Sequence, residues 1–385
     1  VKNLKFAGVL AAGAAATVAA VLLATGGGDG GSGEKTSGDD PGAGAGLGAG
    51  AGAEGAGAGT TPPGEGTGPG GAAALSRPGE TLPLPAGGGR VACPKPTVTV
   101  HNAMQLQERL NTAQPGQVIG LAPGTYTGQF SSQRSGSAGK PIFVCGTPRS
   151  VLDGGNTSKG YGFHLEGASH WRLIGFTVQR SQKGVMLDGS SGSVVQGLTV
   201  RDTGDEAVHL RRFSTGNAVQ FNTISGTGRR NPRFGEGVYL GSSHNNWGAL
   251  TQGQPDRSDN NLVAANRIQA TAEAVDIKEG TSGGRLSGNV FDGSKLSGDG
   301  VNDSWVDAKG NNYVIEDNRG ARTVADGFQT HEEYRGWGTG NVFRRNVIDL
   351  GGGKGVGIGL HSDGNTVACD NKVTGGQLTN KGKCS

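Results

Sequence analysis

Cysteine is scarce in this chain, four residues in 385, and so are methionine (two) and aromatic residues (5%). So few cysteines cannot make a disulfide scaffold, and their spacing matches no zinc site. Charge is also sparse, at 17% with a net of +3, too mild to imply a nucleic-acid partner. Neither a basic helix nor an aromatic RNA-binding motif supports one. Helical patterning is almost missing from the C-terminal three quarters. Glycine is what the chain has in excess, 76 residues, and it divides between one tract and many turns.

Lys2 and Lys5 precede an apolar, uncharged run from Phe6 to Ala24. Residues 1–24 therefore read as a signal peptide or a signal anchor, and the lack of a following Cys argues against a lipoprotein. Residues 25–89 are rich in Gly, Ala, Pro, Ser and Thr and carry too few large apolar side chains to offset the entropy of ordering them. They read as a disordered linker ahead of a folded domain over 90–385. This order predicts an exported protein, secreted or tethered at the cell surface, touching membrane only through its N-terminal segment if that stays uncleaved. We expect a monomer.

The folded part opens with Asn102 and Gln105 spaced as a capping box, followed by Leu106, Leu110 and Ala113 on one helical face and a stop at Pro115-Gly116. A short amphipathic helix of this kind covers the open apolar end of a β-stack. Beyond it the chain repeats. Aligned on Phe163, Val185, Val208, Val238, Val275, Val306, Phe328 and Ile358, the intervals are 22, 23, 30, 37, 31, 22 and 30 residues. A second strand in each repeat ends near Asn222, Asn266, Asn289, Asn318, Asn346 or Asn371, with Gly175 and Gly197 in the first two. Stacked asparagines can bond to their neighbours above and below. Repeats of this length, built of strands and turns, predict an all-β fold: a single-stranded, right-handed parallel β-helix (solenoid) of eight coils with an N-terminal capping helix. In an exported chain the cysteines are oxidised, and in a long solenoid they pair at either end, Cys93–Cys145 and Cys369–Cys384.

Two pentapeptides stand out, Ala274-Val275-Asp276-Ile277-Lys278 and Trp305-Val306-Asp307-Ala308-Lys309. On neighbouring rungs, about 4.8 Å apart, their Asp and Lys side chains form a square of four charges on an exposed sheet, with Val, Ile and Ala turned inward. The outward column through this point reads His164, Met186, His209, Tyr239, Asp276, Asp307, Gln329, Gly359. The next reads Glu166, Asp188, Arg211, Gly241, Lys278, Lys309, His331, His361. Just before the strands lie Asp205-Glu206, Glu236, Glu273, Asp303 and Asp326. A basic stripe beside carboxylates suits an acidic polysaccharide bridged by a divalent cation such as Ca²⁺. The longest intervals carry loops, 226–236 with three arginines and 241–261 with His244 and Trp247, which flank the square as the walls of a cleft would.

The cap segments Gln105-Leu106-Gln107, Pro115-Gly116-Gln117, Ala122-Pro123-Gly124-Thr125-Tyr126 and Gly139-Lys140-Pro141-Ile142 resemble those of the chondroitinase B and alginate lyase family of polysaccharide lyases. Glu273 to Lys278, followed by Gly288-Asn289-Val290-Phe291, is similar to that family's acid, base lysine and following strand. The resemblance implies Lys278 as Brønsted base and Glu273 as calcium ligand. Thr271 and Ala308 stand where the family has a second acid and an arginine, which leaves Lys309 as the nearest cation. Pulling a proton from the carbon beside a uronate carboxylate is chemistry that a neutral Lys and a bound cation can perform.

The expectation is thus an extracellular β-helix protein acting on uronic-acid polysaccharide by metal-assisted β-elimination. Lys278 and Lys309 are the catalytic candidates; Glu273, Asp276 and Asp307 are the metal ligands; Arg211, Tyr239, His331, Trp247 and Tyr334 are the substrate contacts. Two alternatives remain. One is a non-catalytic carbohydrate-binding or adhesion module in which the square is a solvated, neutralised ladder. The other is a glycoside hydrolase using Asp205, Glu206, Asp276 or Asp307.

Overall fold

The computed structural model describes residues 89–298 and 302–385; the expected signal segment (1–24) and all of the expected linker but Gly89 lie outside the described residues. Strands of mostly three or four residues form three sheets, of eleven, nine and ten strands, in which each strand pairs with its counterpart one coil away. Every such pairing is parallel, for example Val238↔Val275 and Val275↔Val306. This is the parallel β-helix expected from the repeats.

The sheet of ten, one strand per turn, gives ten turns rather than eight. The repeat alignment began at Phe163 and so missed the first coils, whose strands at Val118–Leu121, Gly124–Thr127 and Phe130–Ser132 have other spacings.

Alternation within these short strands builds the interior. Val185, Leu187, Val208, Leu210, Val275, Ile277, Val306 and Phe328 all lie in one buried core. Trp305 joins it, wholly buried and edge-on to Phe328, as core packing requires. The helix Ala103–Thr112 caps the N-terminal end, with Leu106 and Leu110 buried. Its N-cap is made, with the Gln105 N–H donating to Asn102 Oδ1, and the Gln105 side chain reaches back one residue past the cap to accept the His101 N–H.

Corners are held by the asparagine ladder. The N–H and Nδ2 of Asn222 both donate to Asn266 Oδ1, and the pattern passes through Asn289, Asn318 and Asn346 to Asn371. Each rung thereby satisfies buried backbone groups that the corner takes out of the sheets. At this corner seven successive coils carry a left-handed residue: Gly175, Gly197, Phe221, Ala265, Gly288, Asp317 and Arg345, the last five each followed by a ladder Asn. A second ladder, through Asn217 and Asn261, was not read from the sequence.

Cys93–Cys145 and Cys369–Cys384 are the two disulfides, one at each end as expected. Bonds of this kind persist in oxidising compartments. Among the described residues no helix is long and apolar enough to cross a membrane.

Candidate active site

Register brings the two pentapeptides together. Asp276 faces Asp307 on adjacent rungs, and both point away from the core that receives Val275, Ile277, Val306 and Ala308. Lys309 Nζ lies 3.1 Å from Asp276 Oδ1 and 2.5 Å from Asp307 Oδ2, and Lys278 Nζ lies 3.3 Å from Asp276 Oδ2. The square of charges therefore exists.

The exposed sheet does not. Asp276 is 0% exposed, Lys278 3%, and Asp307 and Lys309 6% each. The 241–261 loop is pinned against the turn after Lys278: the backbone N–H of His244 and its Nδ1 lie 2.6 and 2.8 Å from Glu279 Oε1. Trp247, buried, packs beside Gly280, and Tyr334, from the loop after the strand Phe328–Thr330, lies tilted against His244 at 5.1 Å and edge-on to Trp247 at 5.2 Å. A solvated ladder is thus overturned; these charges sit beneath loops, where unpaired charge is costly.

Electrostatics among these buried groups favour the charged lysines. Burial works against the Lys278 ammonium, but Asp276, Glu279, Asp307 and Glu236 outweigh it and hold the group well above the ordinary lysine range. Lys309 is raised the same way, burial opposed chiefly by Asp276 and Asp307. Asp307 is held below the usual carboxylate range despite its burial, by Lys309 and His331.

Carboxylates crowd this point of the solenoid. Glu236, Glu273, Asp276, Glu279 and Asp307 are all buried. Carboxylate oxygens of Glu236, Glu273 and Asp276 lie within 4.8 Å of one another, and no other such group of three occurs among the described residues. Glu236 and Glu273 occupy the same register on adjacent rungs, two residues ahead of the paired Val238 and Val275.

Of the three expected ligands, Glu273 and Asp276 join this group, while Asp307 turns to Lys309. Glu236 is the third member of the group. Thr271, where an acid was missing, ties down the loop that ends in Glu236, its hydroxyl lying 3.1 Å from Pro232 O and 3.3 Å from Thr227 O. An all-oxygen set of this kind suits Ca²⁺; copper takes imidazole and sulfur donors, which this cluster lacks.

The remaining expected residues divide. Arg211 is buried in an ion pair with Asp188, 2.8 Å apart. Tyr239 is buried between His209, at 4.4 Å ring to ring, and Lys278, 5.3 Å from its ring. His331 and Tyr334 keep access to solvent, Tyr334 at 46% exposed. His331 stacks on His361, whose ring nitrogen lies 3.4 Å from Asp326. Glu279 was not singled out from the sequence; it directly follows Lys278, outside the Asp-x-Lys alternation, and a third charge in that run was the available signal.

A family profile described as periplasmic copper-binding protein (NosD) matches residues 152–381. An alginate lyase structure from Paenibacillus sp. str. FPU-7 is 33% identical, with a TM-score of 0.70, over 74% of this chain and 98% of that one. A polygalacturonase from Erwinia carotovora ssp. carotovora shares the fold alone, at 11% identity and a TM-score of 0.52, over 77% and 98%. No curated protein matches the chain significantly. The chain belongs to the NosD family of β-helix proteins, in the company of a polysaccharide lyase that it matches over nearly that enzyme's whole length.

Proposed function

We propose that the protein is an extracytoplasmic, divalent-cation-assisted polysaccharide lyase for uronic-acid polymers. The observation that carries this reading is three buried carboxylates gathered as an oxygen donor set beside a candidate base. The 33% identical alginate lyase supports the substrate class, and the disulfides and the family's periplasmic description support the compartment.

Glu236, Glu273 and Asp276 would hold the cation, and Ca²⁺ is the ion their hard oxygens suit. When bound, the cation neutralises the sugar carboxylate, acidifies the neighbouring C–H and offsets the carboxylates that keep Lys278 charged. Lys278 in its neutral form accepts that proton. The C–H electron pair becomes a carbon–carbon double bond, the glycosidic C–O bond breaks, and the leaving oxygen takes a proton from Lys309 or from water. Asp307 holds Lys309 in place, and His331 and Tyr334 line the approach.

Offering alginate, pectate and glycosaminoglycans with and without chelator tests this. Unsaturated, ultraviolet-absorbing ends should form with at least one polymer, need the cation, and vanish in Lys278→Ala. Reducing ends without absorbance would make the protein a hydrolase instead. The burial and raised pKa of Lys278 favour a second reading, a binding module that retains polymer and releases nothing.

A further inference from the structure

A cleft of about 480 Å³ lies outside the charged square, on the same face of the solenoid and toward its N-terminal end. It is within the size range of ligand sites. Its lining includes Gln133, Glu166, Arg212, Phe213 and Gln252. Phe213 is one of the few large apolar side chains among the described residues that stand in solvent, at 44% exposed.

The backbone that carries Phe213 is unusual. Gly167, Gly189 and Arg212 follow the register-paired residues Glu166, Asp188 and Arg211, so they are one corner position in three successive coils. All three are left-handed, and the first two are glycines, as sterics favour. At the third coil the chain instead places Arg212 and Phe213 at φ 55° and 68°, the one consecutive pair of left-handed non-glycine residues among those described. In the first two coils the corner N–H continues the sheet, to Asp188 O and Arg211 O. In the third it is taken over by Asp256.

Asp256 is wholly buried and comes from the inserted 241–261 loop. It accepts the N–H of Arg212 and the N–H of Phe213, each at 2.9 Å, and the hydroxyls of Ser242 and Ser258, each at 2.8 Å. Four bonds to one buried carboxylate hold a strained pair whose visible result is an aromatic ring and a guanidinium presented at a cleft. A corner glycine would have closed the coil without either.

Resting on the reading of the protein as one that takes uronic-acid polymers, we propose that this cleft is a second glycan-binding site. Phe213 stacks on a sugar ring, Arg212 pairs with a uronate carboxylate, and the amides of Gln133 and Gln252 meet hydroxyls. Asp188 lies three rungs from the Asp276 strand, about 14 Å along the axis at normal strand spacing. The site therefore grips a different residue of the same polymer, and short oligosaccharides held at the square do not reach it.

The test is Phe213→Ala against Phe213→Tyr and Phe213→Gly, in the full protein with its disulfides intact. Retention in gels containing alginate or pectate, and KM for polymer and for short oligosaccharides, are measured alongside thermal melting. Phe213→Ala should weaken polymer retention or raise polymer KM about tenfold, with kcat and oligosaccharide KM unchanged. Phe213→Tyr should restore binding. Phe213→Gly should bind as poorly as Ala while melting no lower, because glycine relieves the left-handed backbone. Elimination by wild type with unchanged polymer affinity in Phe213→Ala overturns this site and leaves the lyase standing. Retention that depends on Phe213 without any elimination does the reverse. A wild-type protein that neither binds nor cleaves a uronate polymer removes both.

Discussion

Glu273→Gln should change stability in opposite directions with and without a cation. Carboxylate oxygens of Glu236, Glu273 and Asp276 lie within 4.8 Å of one another. At that separation and an effective dielectric constant of about 20, each carboxylate pair repels by about 3.5 kcal/mol. Glu273 belongs to two such pairs, and attraction to the nearby lysines returns part of the cost. Removing its charge in chelator should therefore stabilise the fold by roughly 1–3 kcal/mol. A calcium site with a Kd of about 0.1 mM stabilises by about 2.7 kcal/mol at roughly hundredfold excess of ion. Scanning calorimetry in EDTA and in about 10 mM CaCl₂ should show wild type rising by roughly 4–6 °C, and Glu273→Gln starting higher and rising little. If wild type ignores calcium and the variant melts lower in both buffers, the three carboxylates form a satisfied structural cluster and the cation site does not exist.

Asn289→Ala should cost about 3–5 kcal/mol in urea unfolding, because it strips the Asn266 N–H and the Val263 carbonyl of their partners inside a buried corner. Asn371→Ala, at the less buried end of the ladder, should cost less. His361 should titrate above the ordinary histidine pKa of about 6.5, read from its ring protons by NMR, because Asp326 accepts from it and faces it with negative charge. The sign follows: its contribution to stability is complete below the unfolded pKa and fades as pH rises through the raised one, and Asp326→Asn should bring the titration back down. Replacing Cys369 and Cys384 by Ser should release the last coil to proteolysis, since a 15-residue loop is worth about 3 kcal/mol.

Period and alternation carried most of the fold. A coil of about 22 residues leaves strands too short for anything but stacking on the next coil, so spacing alone puts Val185, Val208, Val238 and Val275 on one line, where they pair. The same register put Asp276 over Asp307. What alternation cannot show is cover: it gives the face a side chain points to, not whether a loop inserted dozens of residues away lies over that face. His244 reaching Glu279 across 35 residues is such a contact, and the charges expected on an open sheet are buried. The first coils were hidden for a different reason, since the capping helix and disulfide replace part of the repeat there.

In a solenoid, distance along the chain is a poor guide to which carboxylates gather. Along the chain Thr271 is two residues from Glu273, and an acid missing there reads as a ligand lost. Across the rungs, however, the position nearest Glu273 belongs to the previous coil, where Glu236 sits in register with it. Glu236 ends an inserted loop, so a carboxylate can arrive from that side only if the loop is held. Thr271 does the holding, with its hydroxyl against Thr227 and Pro232. Thr271, which stands where the resemblance led one to expect an acid, thus anchors the loop, while the neighbouring coil brings Glu236 beside Glu273. The two positions are coupled: Thr271→Val, close in volume but unable to bond, should loosen the 226–236 loop and weaken cation binding, although Thr271 offers the cation no atom of its own.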